Sequence, residues 1–147
     1  MSKVIFMSAE EAETAFYQAL QRCDLEAMMS VWAEDEDIVC VHPGGVRITG
    51  FAAVRETWRQ VFSSGARISV RVTGEVVSRG LLMAVHSVQE IFHLGEEGDQ
   101  PAPPIIATNV YFRGAAGWHM VCHHASLLPH LDVSTDAPRA AGGNTVH

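Results

Sequence analysis

The sequence predicts an α+β domain in which N-terminal helices cover one face of a curved, largely antiparallel sheet. Three observations lead there. Apolar residues recur at helical spacing as far as Phe62, they alternate with polar residues at a period of two from Ile68 onward, and the two patterns occupy separate halves of the chain. A curved sheet wrapped around a long helix encloses a cone-shaped cavity. The 147 residues, 48% of them hydrophobic, suit one domain with a sizeable core.

The elements follow in order. Ser8-Ala-Glu-Glu11 has the form of a capping box, with Ser8 as N-cap, and Ala12, Phe16, Leu20 and Cys23 then recur at helical spacing, so the first helix is expected over Ala9 to Arg22. Asp24 is a second cap candidate, ahead of a short helix whose apolar face is Leu25, Met28, Met29 and Trp32 and which the acidic run Glu34 to Asp37 ends. Ile38 to Val41 and Val46 to Thr49 are β-prone runs flanking Pro43-Gly44, a pair suited to the centre of a type II turn. Gly50 opens a third helix carrying Phe51, Val54, Trp58, Val61 and Phe62 as one stripe, closed by Ser63-Ser-Gly65. Ile68, Val70 and Val72 mark a half-buried strand, and Leu81 to Leu94 a longer one. The segment Gly95 to Pro104 has loop composition, and strands are expected at about Ile105 to Phe112 and Trp118 to Ala125 around Gly114-Ala-Ala-Gly117. Beyond Leu128 periodicity disappears, and residues 132–147 are expected to form a flexible tail.

Charge and cysteine usage narrow the function classes. A net charge of -7 with arginines dispersed over helix and strand disfavours nucleic-acid binding, which needs a clustered basic face. No segment approaches the roughly 18 apolar residues of a membrane span, so a soluble, cytoplasmic protein is the expectation. Cys23, Cys40 and Cys122 are odd in number, widely spaced and without a C-x-x-C pair, which points to reduced thiols packed as small hydrophobes.

Residues with chemistry cluster in the strands. His42 ends a strand beside a turn, where an imidazole can take or give a proton near neutrality. His123 and His124 are adjacent on the last strand, so alternation sends one inward and the other outward; phase with Trp118 and Cys122 selects His124 as the inward one. Glu90 shares the phase of Ala84, Val88 and Phe92, which puts a carboxylate on an apolar face where it needs a partner or a proton. Asn109 can donate and accept, either toward a ligand or toward backbone. Cys40-Val-His42 and Cys122-His-His124 invite a zinc reading, but residues two apart on a strand are roughly 6 to 7 Å apart and converge poorly on a tetrahedral ion.

Taken in order, Cys23-Asp-Leu-Glu26, Val41-His-Pro-Gly-Gly45, Gly50 with Val54 and Trp58, Glu90, Thr108-Asn109, and Gly117-Trp118 through His123-His-Ala-Ser126 resemble the nuclear transport factor 2-like superfamily, in its SnoaL-like branch. The resemblance implies a cone-shaped, cystatin-like barrel with helices on a curved antiparallel mixed sheet, a single domain over residues 1–131, and a homodimer through the outer sheet face. Its well-understood relatives include ketosteroid isomerases, in which a carboxylate base moves a proton next to a carbonyl while a tyrosine and a neutral aspartic acid stabilise the oxyanion. On that pattern Phe16 falls where the tyrosine is expected, with Tyr17 one position out of phase. His42-Pro43 falls at the base, and Thr108 or Asn109 near the acid. That oxyanion hole is not kept, so steroid isomerisation is not expected.

The reading is therefore a protein with an apolar pocket for a small hydrophobic metabolite, supporting acid–base chemistry of an isomerase, cyclase or dehydratase type with no cofactor and no metal. His42, His124 and Glu90 are the catalytic candidates, and Asn109, Tyr17, Phe16, Trp58, Cys40, Cys122 and His123 the ligand-binding ones. The alternative is a non-catalytic module that binds a ligand or a protein partner.

Overall fold

A computed structural model describes residues 4–65, 67–94 and 102–129. Helix α1 spans Ala9–Arg22, and its N-cap Ser8 accepts a hydrogen bond from the Glu11 amide at 3.0 Å. Glu11 reaches back as a capping box requires, but its carboxylate takes the Met7 amide at 2.8 Å. Cys23, expected on the apolar stripe, instead ends the helix in a left-handed conformation with φ 53°, its amide bonded to Ala19 and Leu20. Asp24 then caps α2 (Leu25–Val31) by accepting from the Ala27 amide, so only the two capping residues Cys23 and Asp24 separate the helices.

Strands β1 (Val39–Val41) and β2 (Arg47–Thr49) form the expected hairpin. The Gly45 amide donates to the His42 carbonyl at 2.8 Å across Pro43-Gly44, and Gly44 takes φ 74°, the value a type II turn demands there. Helix α3 (Phe51–Phe62) starts from Gly50 without a side-chain cap, its first amide donating to the Asp35 carbonyl.

Four long strands follow: β3 (Ile68–Arg79), β4 (Met83–Leu94), β5 (Ile105–Gly114) and β6 (Gly117–Leu127). They form a meander to which the hairpin is added, in the order β2-β1-β6-β5-β4-β3. The β1–β6 pairing is parallel and the others are antiparallel, so the sheet is mixed. Strand β4 begins two residues later than its hydrophobicity suggested, because Leu81 and Leu82 are exposed in the turn. Strand β3 runs well past Thr73 by absorbing one extra residue at Gly74-Glu75, where pairing skips from Thr73–Gln89 to Val76–Ser87. The expected loop at residues 95–101 and the tail from residue 130 lie outside the described residues.

Helix α1 lies across β3, β5 and β6 on the concave face of the sheet, with α2 and α3 beside it. Cross-strand register builds the inner surface in rows. One is apolar and small, Val88–Ala107–Ala125; the next is Ala84–Tyr111–Met120. Between them runs a row of a different kind, His86–Asn109–His123–Cys40, polar in three of its four members and buried throughout. The alanines leave room for Phe16 and Trp58 to press against the sheet, and burying rings of this size contributes most to holding helices and sheet together.

Candidate functional site

The buried polar row meets α1 in a continuous chain of hydrogen bonds. The Tyr17 hydroxyl donates to Glu90 Oε2 at 2.6 Å, Asn109 Nδ2 donates to the Tyr17 oxygen at 2.9 Å, and His123 Nδ1 donates to Asn109 Oδ1 at 2.6 Å. Four elements each supply one member. Tyr17 comes from α1, Glu90 from β4, Asn109 from β5 and His123 from β6, so the chain forms only when helix and sheet have closed on each other. All four side chains are buried, with Glu90 only 2% exposed.

Burial sets their protonation. It pushes the Glu90 carboxyl up to about 7, against the opposing pull of the Tyr17 hydrogen bond. It raises the Tyr17 phenol further from ionisation, reinforced by the Glu90 charge. Burial, followed by the neighbouring His42 and His124, pushes His123 down to about 3. His123 is therefore neutral at pH 7, and because Nδ1 holds the proton that Asn109 accepts, Nε2 is the acceptor. The result is one carboxyl close to half-ionised at neutrality, bonded to a phenol that an amide orients.

Aromatic rings enclose this chain. Phe16 stands 4.8 Å from Tyr17, 4.9 Å from His123 and 5.7 Å from Trp58, centroid to centroid, and Trp58 in turn contacts Phe62 at 5.6 Å. His42, half-buried, packs edge-on against Trp58 at 4.7 Å, and burial lowers its pKa. Its Nε2 is 3.8 Å from Cys40 Sγ. Burial raises both nearby thiols, Cys40 to about 12 with the adjacent Cys122 adding to the effect, so both are protonated at neutral pH.

The expected catalytic trio does not assemble. His124 is exposed on the convex face, and it is His123 that faces inward. The cause is a bulge in β6: Tyr111 pairs with Met120 while the adjacent Val110 pairs with Cys122, so Val121 is an extra residue and the alternation inverts after it. The Trp58 ring, against which His42 packs, is also 6.1 Å from His123. Glu90, Asn109, Tyr17, Phe16, Trp58, Cys40 and His123 all face the interior. Tyr17 and Phe16 do so together, because the buried face of α1 is wide enough to take adjacent positions.

Three further residues escaped the sequence reading, two buried and one exposed. Glu13, Glu75 and His86 converge beside Asn109, whose side chain also reaches Glu13. Two of them had a signal: Glu13 falls on the α1 stripe with Ala12 and Phe16, and His86 shares the inward phase of Ala84, Val88 and Glu90. A surface concavity of about 910 Å³ lies elsewhere, lined by residues including Met29, Trp32, Phe51 and Arg55, and none of the hydrogen-bonded chain opens into it.

Comparison with known proteins places this architecture. A solved structure from Thiobacillus denitrificans, provisionally named a calcium/calmodulin-dependent protein kinase type II association domain, is 41% identical, with a TM-score of 0.77 over 86% of this chain and 99% of its own. A protein from Streptomyces avermitilis, provisionally named a dehydratase of the NTF2-like family, is 29% identical, with a TM-score of 0.74 over 83% and 94% of the two chains. The F-box protein SKIP8 of Arabidopsis thaliana is 26% identical over 115 residues, 78% of this chain and 47% of that protein, so the chain spans about half the length of this curated relative. A cystatin-like protein from Nostoc punctiforme shares the fold at 14% identity and a TM-score of 0.68 over 85% and 92% of the two chains. The SnoaL-like domain family matches residues 9–130, and with the cone-shaped α+β fold this establishes the chain as a member of that family, within the NTF2-like superfamily.

Proposed function

We propose that the interior of the cone receives a small, mainly apolar molecule bearing one carbonyl or hydroxyl oxygen and moves a proton on it using side chains alone. The observation that carries this reading is the buried Tyr17–Glu90 pair, a 2.6 Å hydrogen bond to a carboxyl raised to about 7. Such a carboxyl serves as base or acid near neutral pH, where both of its forms are populated. When Glu90 holds the proton it donates to the Tyr17 oxygen and frees the phenol hydrogen for the ligand oxygen, Asn109 holds the phenol in position, and His123 offers Nε2 as a second acceptor. The half-buried His42 and Phe62, both against Trp58, mark the way in, so entry displaces the Trp58 ring. The dehydratase name carried by the 29% identical relative agrees with acid–base elimination.

A second reading is that the domain is an assembly module, as the name of the 41% identical relative suggests, with a second copy of the chain meeting the outer sheet face. A thermal-shift series with cyclic ketones, enones and phenols on wild type and Tyr17→Phe, alongside light scattering, separates the two. The first reading expects compounds that stabilise wild type and lose that effect in Tyr17→Phe, since a ligand stabilises only the state it binds. Absence of any such compound from a homo-oligomer that Tyr17→Phe leaves intact would favour the module.

A further inference from the structure

Outside the Tyr17–Glu90 pair, three elements bring ligand-type side chains to one point. Glu13 on α1, Glu75 on β3 and His86 on β4 each offer one donor atom, and these atoms lie within 4.8 Å of one another. His86 Nδ1 is 3.1 Å from Glu13 Oε1 and 3.5 Å from Glu75 Oε2. Two donors held by one ion at about 2.1 Å stand about 3.0 Å apart at octahedral angles and about 3.4 Å apart at tetrahedral ones. The two spacings from His86 match those of ligands around a shared centre, and the two carboxylate donors lie within 4.8 Å of each other.

The second observation is the state of His86. Its side chain is 0% exposed, and among the described residues neither ring nitrogen has a hydrogen-bond partner with acceptable geometry, Nε2 standing 4.0 Å from Glu10 Oε2; the same lack of a partner holds for Glu13 Oε2. Leaving a buried polar atom unsatisfied costs on the order of 1–3 kcal/mol. The Tyr111 ring, 5.0 Å away, packs against the imidazole and limits its rotation. The nearby cation Arg79 is engaged by Glu10 at 2.6 and 2.9 Å, and no salt bridge joins it to Glu13 or Glu75 among the described residues. The β3 bulge, with Gly74 at φ 59°, brings Glu75 to this point, and the Glu75 side chain is 38% exposed. It gives an ion a path from solvent to two buried donors.

We propose that Glu13, Glu75 and His86 form a site for one divalent transition-metal ion that ties α1 to β3 and β4. Two carboxylate oxygens and one imidazole nitrogen suit Zn²⁺, Mn²⁺, Fe²⁺ or Co²⁺ better than the all-oxygen demands of Ca²⁺ or Mg²⁺. Burial, then the adjacent Glu75, pushes Glu13 up to about 8, and a bound cation replaces the proton that Glu13 otherwise retains. The site is distinct from the proposed ligand chamber and adjoins it at Asn109, whose side chain reaches Glu13.

The test is titration of Co²⁺ into the full chain after EDTA treatment and dialysis, read by visible d–d absorption and by melting temperature. One equivalent is expected to saturate the absorption and raise the melting temperature, with Zn²⁺ displacing Co²⁺. Glu75→Gln, at a half-exposed position that folding tolerates, is expected to weaken binding about tenfold or more, while His124→Gln on the convex face leaves it unchanged. His86→Ala is expected to abolish it. An absence of the d–d spectrum, or equal affinity in wild type and Glu75→Gln, would overturn the proposal and leave Glu13 and Glu75 sharing a proton.

Discussion

Glu90 and His123 are one chain of hydrogen bonds apart, yet burial drives their proton affinities in ways that oppose each other in the stability curve. The Glu90 carboxyl rises from 4.5 to about 7 on folding, so the folded state holds its proton more tightly. That contribution is fully present below pH 4.5 and is lost as pH rises through 7. His123 falls from 6.5 to about 3, so its contribution is present above 6.5 and is lost as pH falls toward 3. Glu90→Gln keeps the shape and a hydrogen-bonding oxygen without the ionisation. In urea denaturation, its stability relative to wild type is predicted to improve between pH 5 and pH 8 by on the order of 2 kcal/mol. An unchanged difference would mean that Glu90 ionises freely. The inward position of Glu90 was legible from period-two phase, and its partner Tyr17 was named without the bond being foreseen. His123 was named as a ligand-binding residue, but the inward position was given to His124 because phase was counted through Val121, where no glycine or proline marks the bulge.

At the scale of elements, legibility follows local chemistry. The bounds of α1 were readable because Ser8 and Asp24 carry out capping that depends only on residues within three or four positions. Ser8→Ala is predicted to cost about 1 kcal/mol of stability, measured by chemical denaturation, through loss of the bond to the Glu11 amide. The parallel insertion of β1 beside β6, by contrast, depends on residues more than 80 positions apart, and nothing local announces it. The start of β6 is similar. Gly117 takes φ 96°, and a Cβ there would lie 2.7 Å from the Phe6 carbonyl oxygen, which accepts from the Trp118 amide at 3.0 Å. Gly117→Ala is predicted to lose about 2 kcal/mol or more, because it meets both a left-handed backbone and a backbone clash. A cost under half of that would show that the segment before α1 moves aside freely.

For the whole molecule, the fold class was readable because binary pattern and element order agreed along the chain, and the site was less readable because it is a product of closure. Tyr17, Glu90, Asn109 and His123 belong to four elements, and their meeting depends on the β6 bulge that turns His123 inward and on the packing of α1 across the sheet. The same closure places Trp58 against both His42 and His123. Trp58→Ala is predicted to cost about 3–5 kcal/mol in chemical denaturation, while Trp58→Phe should retain the fold and speed ligand entry. The central claim is that the cone interior holds a carboxyl poised near neutrality beside a phenol. The direct measurement is a pH titration of carboxyl-¹³C-labelled glutamate by NMR, with Glu90 assigned through Glu90→Gln. A Glu90 midpoint near 7 that moves on binding of a stabilising ketone or phenol is the predicted result; a midpoint near 4.5, indifferent to every such compound, would contradict the account.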